Sequence, residues 1–305
     1  MEIVDNFQSS IGRKIPYKEW KNEEAKEYKG VVQLVHGMQE HIDRYRDFAN
    51  FLTKNGYIVV GHSHLGHGDS VENQEEYGYF AEKDGWWKLV EDVHILQNKI
   101  QKKYPNLPYI IMGHSMGSLV VRTYLTKYQD NITKAILCGT SGQKHGLIVG
   151  QVLINIIKSS KGDHYRSPLV EKLITGSFND AFKPTRTKAD WISRDMQQVD
   201  KYLADKKCGF NFTLQAYKDL LSGTQYLSKQ RNENKTLKIP ILLISGTKDP
   251  VGANGKGVIR VYRMLKKAGL DDVTLKFFDE ARHELLNETN QLEVYQFVLG
   301  WIEQR

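Results

Sequence analysis

The chain has 305 residues, 40% hydrophobic and 26% charged, the balance of a globule able to bury a sizeable core rather than of a disordered or fibrous chain. Its 43 Lys and Arg against 36 Asp and Glu give a formal charge of +7, scattered in short clusters such as Lys102-Lys103 and Lys206-Lys207. That distribution reads as a solvated surface, which argues against nucleic acid as a partner and leaves room for weak attraction to anionic lipid surfaces.

The opening MEIVDNFQSS is acidic and lacks the continuous apolar stretch of a secretory signal. Residues 6–20 read as an antiparallel hairpin appended to a sheet edge, with its turn near residues 10–12. Six β-branched runs then follow: GVVQLVHG, GYIVVGH, YIIMGHS, AILCGT, PILLISGTKD and VTLKFFD. They are continuously apolar rather than alternating, which predicts strands covered on both faces. Helical spacing fills the intervals. Leu89, Val93, Leu96 and Ile100 share one face, as do Leu292, Tyr295, Val298 and Ile302, with Thr289 as the expected cap of that last helix. The βαβ order implies a mostly parallel central sheet with helices on both faces.

The alternation breaks once. Between residues 141 and 237 there is no strand candidate, and the stretch is rich in aromatics, Ser and Lys, with helical patterns over 190–203 and 212–221. A structureless stretch of that length is rare inside a compact domain. The reading is an α/β core formed by 1–140 and 238–305, with a helical cap inserted over 141–237. The longest apolar segment, LIVGQVLINII over 147–157, is too short to span a bilayer. Cys138 and Cys208 are too few for a disulfide framework and read as reduced thiols, which with the polar start suggests a cytoplasmic protein.

The chemistry concentrates at Gly113-His114-Ser115-Met116-Gly117, where a predicted strand meets a predicted helix. That is the context of a nucleophile elbow, a turn so sharp that bulky flanking side chains would collide with neighbouring elements. A serine hydroxyl needs a base to take its proton, and the base needs a carboxylate to orient it. On this architecture the acid and histidine follow the serine in that order. Asp249 ends a predicted strand, and His283 lies between the last strand and the last helix, so Ser115, Asp249 and His283 form the candidate triad. Asp271 and Asp272 are weaker candidates because they precede a strand. Two backbone N–H groups suit the developing oxyanion: Met116, opening the helix after the serine, and Met38, after the strand at 31–35 and the His36-Gly37 turn.

Together HGMQEHIDRY, HLGHGDS, GHSMGS, PILLISGTKDPVG and RHELLNE resemble the α/β-hydrolase family of monoacylglycerol lipases and bacterial lysophospholipases, sometimes filed with serine aminopeptidases. WISRDMQQVDKYLADKKCGFNFTLQAYKDLLSG also resembles the cap of a bacterial branch. The resemblance implies the same triad and oxyanion donors, no cofactor and no metal. It departs at Ser63, where relatives often carry an Asp that makes a supporting hydrogen bond. The implied substrate is a small-molecule or lipid ester with a single acyl chain, monoacylglycerol or lysophospholipid. The cap would offer peripheral membrane contact, and the 147–157 segment with Phe178, Phe182, Trp191, Phe210 and Phe212 would line the acyl-chain pocket.

Three other readings stay open at this point. An aminopeptidase or a short-chain ester or amide hydrolase would use the same triad, the former needing a carboxylate for a free α-amine. A non-catalytic ligand-binding member of the fold would lack labelling by a fluorophosphonate. His62, His64 and His67, with Asp69 nearby, approximate a zinc signature, although Gly66 fills its Asp slot.

Overall fold

In the computed structural model, which describes residues 1–129, 131–142 and 147–304, the β-branched runs become strands of one eight-stranded sheet. These are β1 (Glu2–Gln8), β2 (Lys14–Trp20), β3 (Gly30–Val35), β4 (Tyr57–His62), β5 (Tyr109–His114), β6 (Lys134–Cys138), β7 (Ile241–Gly246) and β8 (Val273–Phe278), in the order β1-β2-β4-β3-β5-β6-β7-β8. β3 to β8 run parallel. β1 and β2 form the expected antiparallel hairpin, and β2 pairs antiparallel with β4. Its turn closes through Ser9 N–H to Arg13 O at 2.8 Å, with Gly12 at φ 78°.

Parallel neighbours need crossovers, and helices supply them on both faces. The helices of the α/β layers are α1 (Arg46–Lys54), α2 (Gly85–Lys103), α3 (Met116–Lys127), α9 (Lys256–Lys267) and α10 (Gln291–Glu303). Alternation along each strand sends Val31, Ile111 and Leu243 to one face, against Leu89 and Val93 of α2, Val120 of α3 and Val261 of α9. It sends Val32, Met112 and Leu242 to the other, against Phe48 of α1 and Val294 and Val298 of α10. Both faces are therefore apolar, which is why these strands read as unbroken runs.

α10 differs from expectation at its start. Asn290, not Thr289, precedes it, and no side chain caps it; Thr289 gives its N–H to the Glu288 carboxylate at 3.0 Å. Leu292 is 56% exposed, because the seam on the sheet runs instead through Val294, Tyr295, Val298, Trp301 and Ile302.

Between β6 and β7 the described residues form helices and no strand: α4 (Leu147–Lys161), α5 (Pro168–Thr175), α6 (Met196–Ala204), α7 (Leu214–Leu227) and the single turn α8 (Gln230–Glu233). Residues 143–146 of the segment assigned to a cap lie outside the described residues. The helix expected over 190–203 is split into a 3₁₀ turn at Asp190–Ile192 and α6. The Asp195 carboxylate caps α6 by accepting the Gln197 and Gln198 N–H groups, and a capping side chain fits a helix start rather than its interior. The helix expected from 212 likewise starts at Leu214, behind Thr213, whose hydroxyl accepts Ala216 N–H at 3.2 Å.

α7 lies across α2 and α3 so closely that Gly223 faces the Trp86 indole, whose Nε1 donates to Thr123 Oγ1 at 3.2 Å. A Cβ at residue 223 would stand 2.0 Å from Trp86 Cε2, whereas one at the exposed helical Gly300 of α10 would meet nothing within 4 Å. Gly223→Ala is therefore expected to lower stability by about 1–3 kcal/mol through overpacking. Gly300→Ala is expected to raise it by about 0.5–1 kcal/mol through helix propensity. Urea unfolding of both variants checks this, and a shift of the same sign in both would contradict the packing.

Candidate active site

β5 ends at His114 and α3 begins at Met116, so Ser115 alone makes the turn, at φ 51° and ψ −121°. A non-glycine residue held there is strained, and strain of this kind persists where surrounding contacts over-determine it. Ser115 N–H donates to Cys138 O at 2.9 Å, and Ser115 O accepts from Ser118 N–H at 2.9 Å and Ser118 Oγ at 2.6 Å. The flanking glycines are steric necessities. A Cβ at 113 would stand 2.4 Å from Gly117 O, and one at 117 would stand 2.1 Å from Val35 O.

The second turn at this edge follows β3. Gly37 packs directly on the serine, since a Cβ there would lie 3.1 Å from Ser115 Cβ and 3.3 Å from His114 Cδ2. Gly37 N–H donates to Glu40 Oε1 at 2.6 Å, which fixes the turn, and Gln39 takes φ 59° beyond it. Among the described residues neither Met38 N–H nor Met116 N–H has a hydrogen-bond acceptor, and both residues line the same cavity as Ser115. For Met116 that is the ordinary condition of the first N–H of a helix.

His283 is buried in the loop between β8 and α10, and its Nδ1 lies 2.9 Å from Asp249 Oδ1. Asp249, fully buried after β7, also accepts Val251 N–H at 2.9 Å on Oδ1 and Ser245 Oγ at 3.3 Å on Oδ2. The imidazole is boxed by the rings of Trp191 at 5.1 Å and His114 at 4.7 Å, and a Cβ at Gly139 would stand 3.1 Å from its Cε1. Burial alone would push the His283 pKa down, but the Asp249 carboxylate holds it above the usual 6.5. Asp271 and Asp272 stand at the other end of the sheet, where Asp272 O accepts Ile241 N–H at the start of β7.

Behind these turns runs a buried ionic chain that the motifs contain but that reading them one at a time did not join. Arg44 donates to Glu40 Oε2 at 2.9 Å and reaches both oxygens of Glu284 at 2.6 Å, while Tyr45 OH donates to Glu40 Oε1 at 2.8 Å. Glu40 belongs to the Gly37 turn, and Glu284 is the neighbour of His283. Burial raises the Glu40 carboxyl above its ordinary value, and burial would raise Glu284 too, but the paired Arg44 pulls it below. The H-G-x-x-E pattern and the His-Glu dipeptide were the available signals.

The cavity is about 410 Å³ and is lined by Met38, Ser115, Met116 and His283, with apolar walls that include Leu119, Leu147, Ile174 and Leu220. Of the aromatics expected along it, Phe178 and Trp191 contribute. Phe182, Phe210 and Phe212 do not. Phe182 lies under the Arg282 guanidinium at 4.2 Å, and Phe210 and Phe212 pack edge-on against His67 at 5.2 and 5.4 Å. The 147–157 segment also mostly misses the cavity. Ile148, Val149, Val152 and Ile156 are between 52 and 73% exposed, so α4 turns its apolar side outward.

The histidines of HSHLGHGD are buried, and His64 places its Nε2 3.2 Å from His36 O. His36 Nε2 accepts His64 N–H at 2.9 Å, while His67 places Nδ1 3.0 Å from Leu65 O and accepts Gln39 N–H on Nε2 at 3.4 Å. Backbone groups thus engage both nitrogens of His67, which does not suit a shared metal. Ser63 accepts Ile42 N–H on its hydroxyl at 3.4 Å, so the position at which the sequence departs from the resemblance still makes a hydrogen bond to the turn. Among the described residues the one trio with ligand atoms within 4.8 Å of one another is His41, Asp205 and Cys208, in which His41 Nε2 already meets Asp205 Oδ2 at 2.8 Å.

The chain is similar to a monoacylglycerol lipase of Mycolicibacterium smegmatis, 29% identical over 300 residues that cover 97% of this chain and 95% of the relative. It is similar to the monoglyceride lipase of Homo sapiens at 27% identity, over 91% of this chain and 83% of the relative. Among solved structures, a carboxyl esterase from Bacillus coagulans in complex with glycerol superposes with a TM-score of 0.91 at 28% identity, covering 99% of this chain and 97% of that one. A soluble variant of the monoglyceride lipase of Saccharomyces cerevisiae shares the fold, with a TM-score of 0.78 at 19% identity over 99% and 94% of the two chains. The sheet order, the helices on both faces and these neighbours identify the α/β-hydrolase fold. The model of the family described as serine aminopeptidase, S33 matches residues 26–290, and the chain belongs to that family.

Proposed function

We propose that this enzyme hydrolyses carboxylic esters of single-chain lipids, monoacylglycerols and their close relatives, through an acyl intermediate on Ser115. The supporting observation is one cavity onto which Ser115, the Asp249-oriented His283 and two free backbone N–H groups converge. His283 takes the hydroxyl proton as Ser115 Oγ bonds to the carbonyl carbon. The oxygen, now anionic, is held by Met38 and Met116 N–H, and removing one such donor typically costs about 10²–10³ in rate. The tetrahedral intermediate collapses by breaking the bond to the alcohol, which leaves with the proton from His283. Water then attacks the acyl group with His283 again as base, releasing the fatty acid and restoring the serine. Asp249 stays hydrogen-bonded to Nδ1 throughout and stabilises the imidazolium.

Two features favour an ester over an aminoacyl substrate. The relatives from Mycolicibacterium smegmatis and Homo sapiens are named as monoacylglycerol and monoglyceride lipases, and a solved neighbour at 28% identity is a carboxyl esterase. In addition, the two carboxylates on the cavity wall, Glu40 and Glu284, are both tied to Arg44, which leaves neither to receive a free α-amine.

Residues 141–237 act in this reading as a cap over the cavity, with Leu147, Ile174, Phe178 and Leu220 facing the acyl chain. No helix among the described residues is long and apolar enough to cross a membrane. The outward apolar side of α4, continued by Leu169 and Leu173 of α5 at 53 and 64% exposure, supports shallow contact with the lipid surface that holds the substrate.

Wild-type protein is expected to release oleate from 1-oleoylglycerol, and Ser115→Ala to lower that rate by about six orders of magnitude while melting near the wild-type temperature. Titration of released acid checks it, and comparable turnover in the variant would overturn the assignment. The pH profile is a second check. His283 must be neutral to accept the proton, and its raised pKa means that kcat/KM rises with pH through a midpoint above 6.5. Asp249→Asn removes the charge that raises it, so the midpoint moves to lower pH and kcat falls by about 10⁴. An unshifted acid limb in that variant would contradict the pairing.

A further inference from the structure

The cavity wall carries two charges that the chemistry at Ser115 does not use. Lys256 and Arg260 both line it, from the first two turns of α9. Four residues apart on a helix, they share a face, where like charges repel unless something negative lies between them. Arg260 gives one N–H to Gly142 O at 2.8 Å, and the rest of its guanidinium has no acceptor among the described residues. Neither side chain meets a carboxylate among the described residues, and Lys256 is exposed.

Among the described residues, every other charge on this wall is answered. Glu40 and Glu284 share Arg44, and His283 has Asp249. Behind Ser141, the buried Arg122 is closed by Glu233. The net charge that the described residues present to a ligand is therefore the pair of cations, on a wall whose remaining surface is mostly apolar. A neutral glycerol head group offers such a pair hydroxyl acceptors but no charge to match theirs. A phosphate monoester, with close to two negative charges near neutral pH and several acceptor oxygens, matches one ammonium and one guanidinium together.

We propose that Lys256 and Arg260 form an anion subsite of the active-site cavity that takes the phosphate of a single-chain glycerophospholipid. The inference rests on the ester-hydrolase reading above and refines its substrate class. On that basis the favoured ester carries a phosphate on its glycerol, and Arg260 and Lys256 set the preference through binding, with the acyl-transfer steps unchanged.

The test compares 1-oleoylglycerol with 1-oleoylglycerol 3-phosphate at equal mole fraction in mixed micelles of a neutral detergent. The wild type is expected to favour the phosphate ester at least tenfold in kcat/KM. Lys256→Ala/Arg260→Ala should reduce that ratio at least tenfold, chiefly through KM. Lys256→Glu, at an exposed position, should move it the same way and keeps the test open if the double variant does not fold. Lys266→Ala/Lys267→Ala removes the same charge from the far end of α9 and should leave the ratio unchanged. A ratio unaffected by Lys256→Glu, or reduced as much by the Lys266/Lys267 change, would overturn the subsite while leaving the hydrolysis of 1-oleoylglycerol standing. Failure of the wild type on both esters would overturn the functional reading itself.

Discussion

The approach of α3 to the end of β3 is the contact on which the rest depends. Val35 O occupies the space in which any Cβ at residue 117 would have to sit, 2.1 Å away. Only glycine permits that approach, and with Gly113 it lets a strand turn into a helix within one residue. The cost is borne at Ser115, held at φ 51° by its N–H bond to Cys138 O and by the first turn of α3 closing on its carbonyl. A strained serine at the carboxyl edge of the sheet follows from steric exclusion before any chemistry is considered. The same edge brings in the Gly37 turn and the His283 loop, because parallel strands all deliver their C-terminal loops to one side.

Electrostatics then decide what such an edge can do. A wall holding Glu40, Glu284, Asp249, Arg44 and His283 in low dielectric is stable only if the charges are matched and hydrogen-bonded. They are: Arg44 joins the two glutamates, one on the Gly37 turn and one beside His283, and Asp249 holds the imidazole. That chain ties the Gly37 turn to the loop bearing His283. It also leaves the base poised, with burial and the Asp249 charge acting in opposite directions on one ring and the charge prevailing.

Much of this was legible in the sequence, for reasons that can be named. Strands buried on both faces have to be apolar throughout, so β3 to β7 announced themselves, and the glycines around Ser115 did the same for the turn. Asp249 and His283 could be singled out because each follows a strand, the only end from which a side chain reaches this edge; Asp271 and Asp272 precede one and stand at the far side. What was not legible depends on orientation. The apolar 147–157 run could face a cavity or solvent with the same residues, and α4 turns most of it outward. Phe210 and Phe212 are as aromatic as Trp191 but pack around His67, a partner more than a hundred residues away in sequence. α10 starts after Asn290 without a capping side chain, and Thr289 instead gives its N–H to the neighbouring Glu288 carboxylate. The Glu40–Arg44–Glu284 chain has no local signature, since Arg44 and Glu284 lie 240 positions apart in two separate motifs.

Family membership, the fold and the paired charges behind Ser115 support the proposed acyl transfer at that one residue. The central claim is that the Ser115 hydroxyl is made reactive by its surroundings, and covalent capture tests it most directly. Treating the folded protein with a long-chain alkyl fluorophosphonate and locating the adduct by peptide mass mapping should give one phosphonylated site at Ser115, abolished in Asp249→Asn/His283→Ala. Folded protein that stays unlabelled, or that is labelled equally with the base and acid removed, would contradict the account.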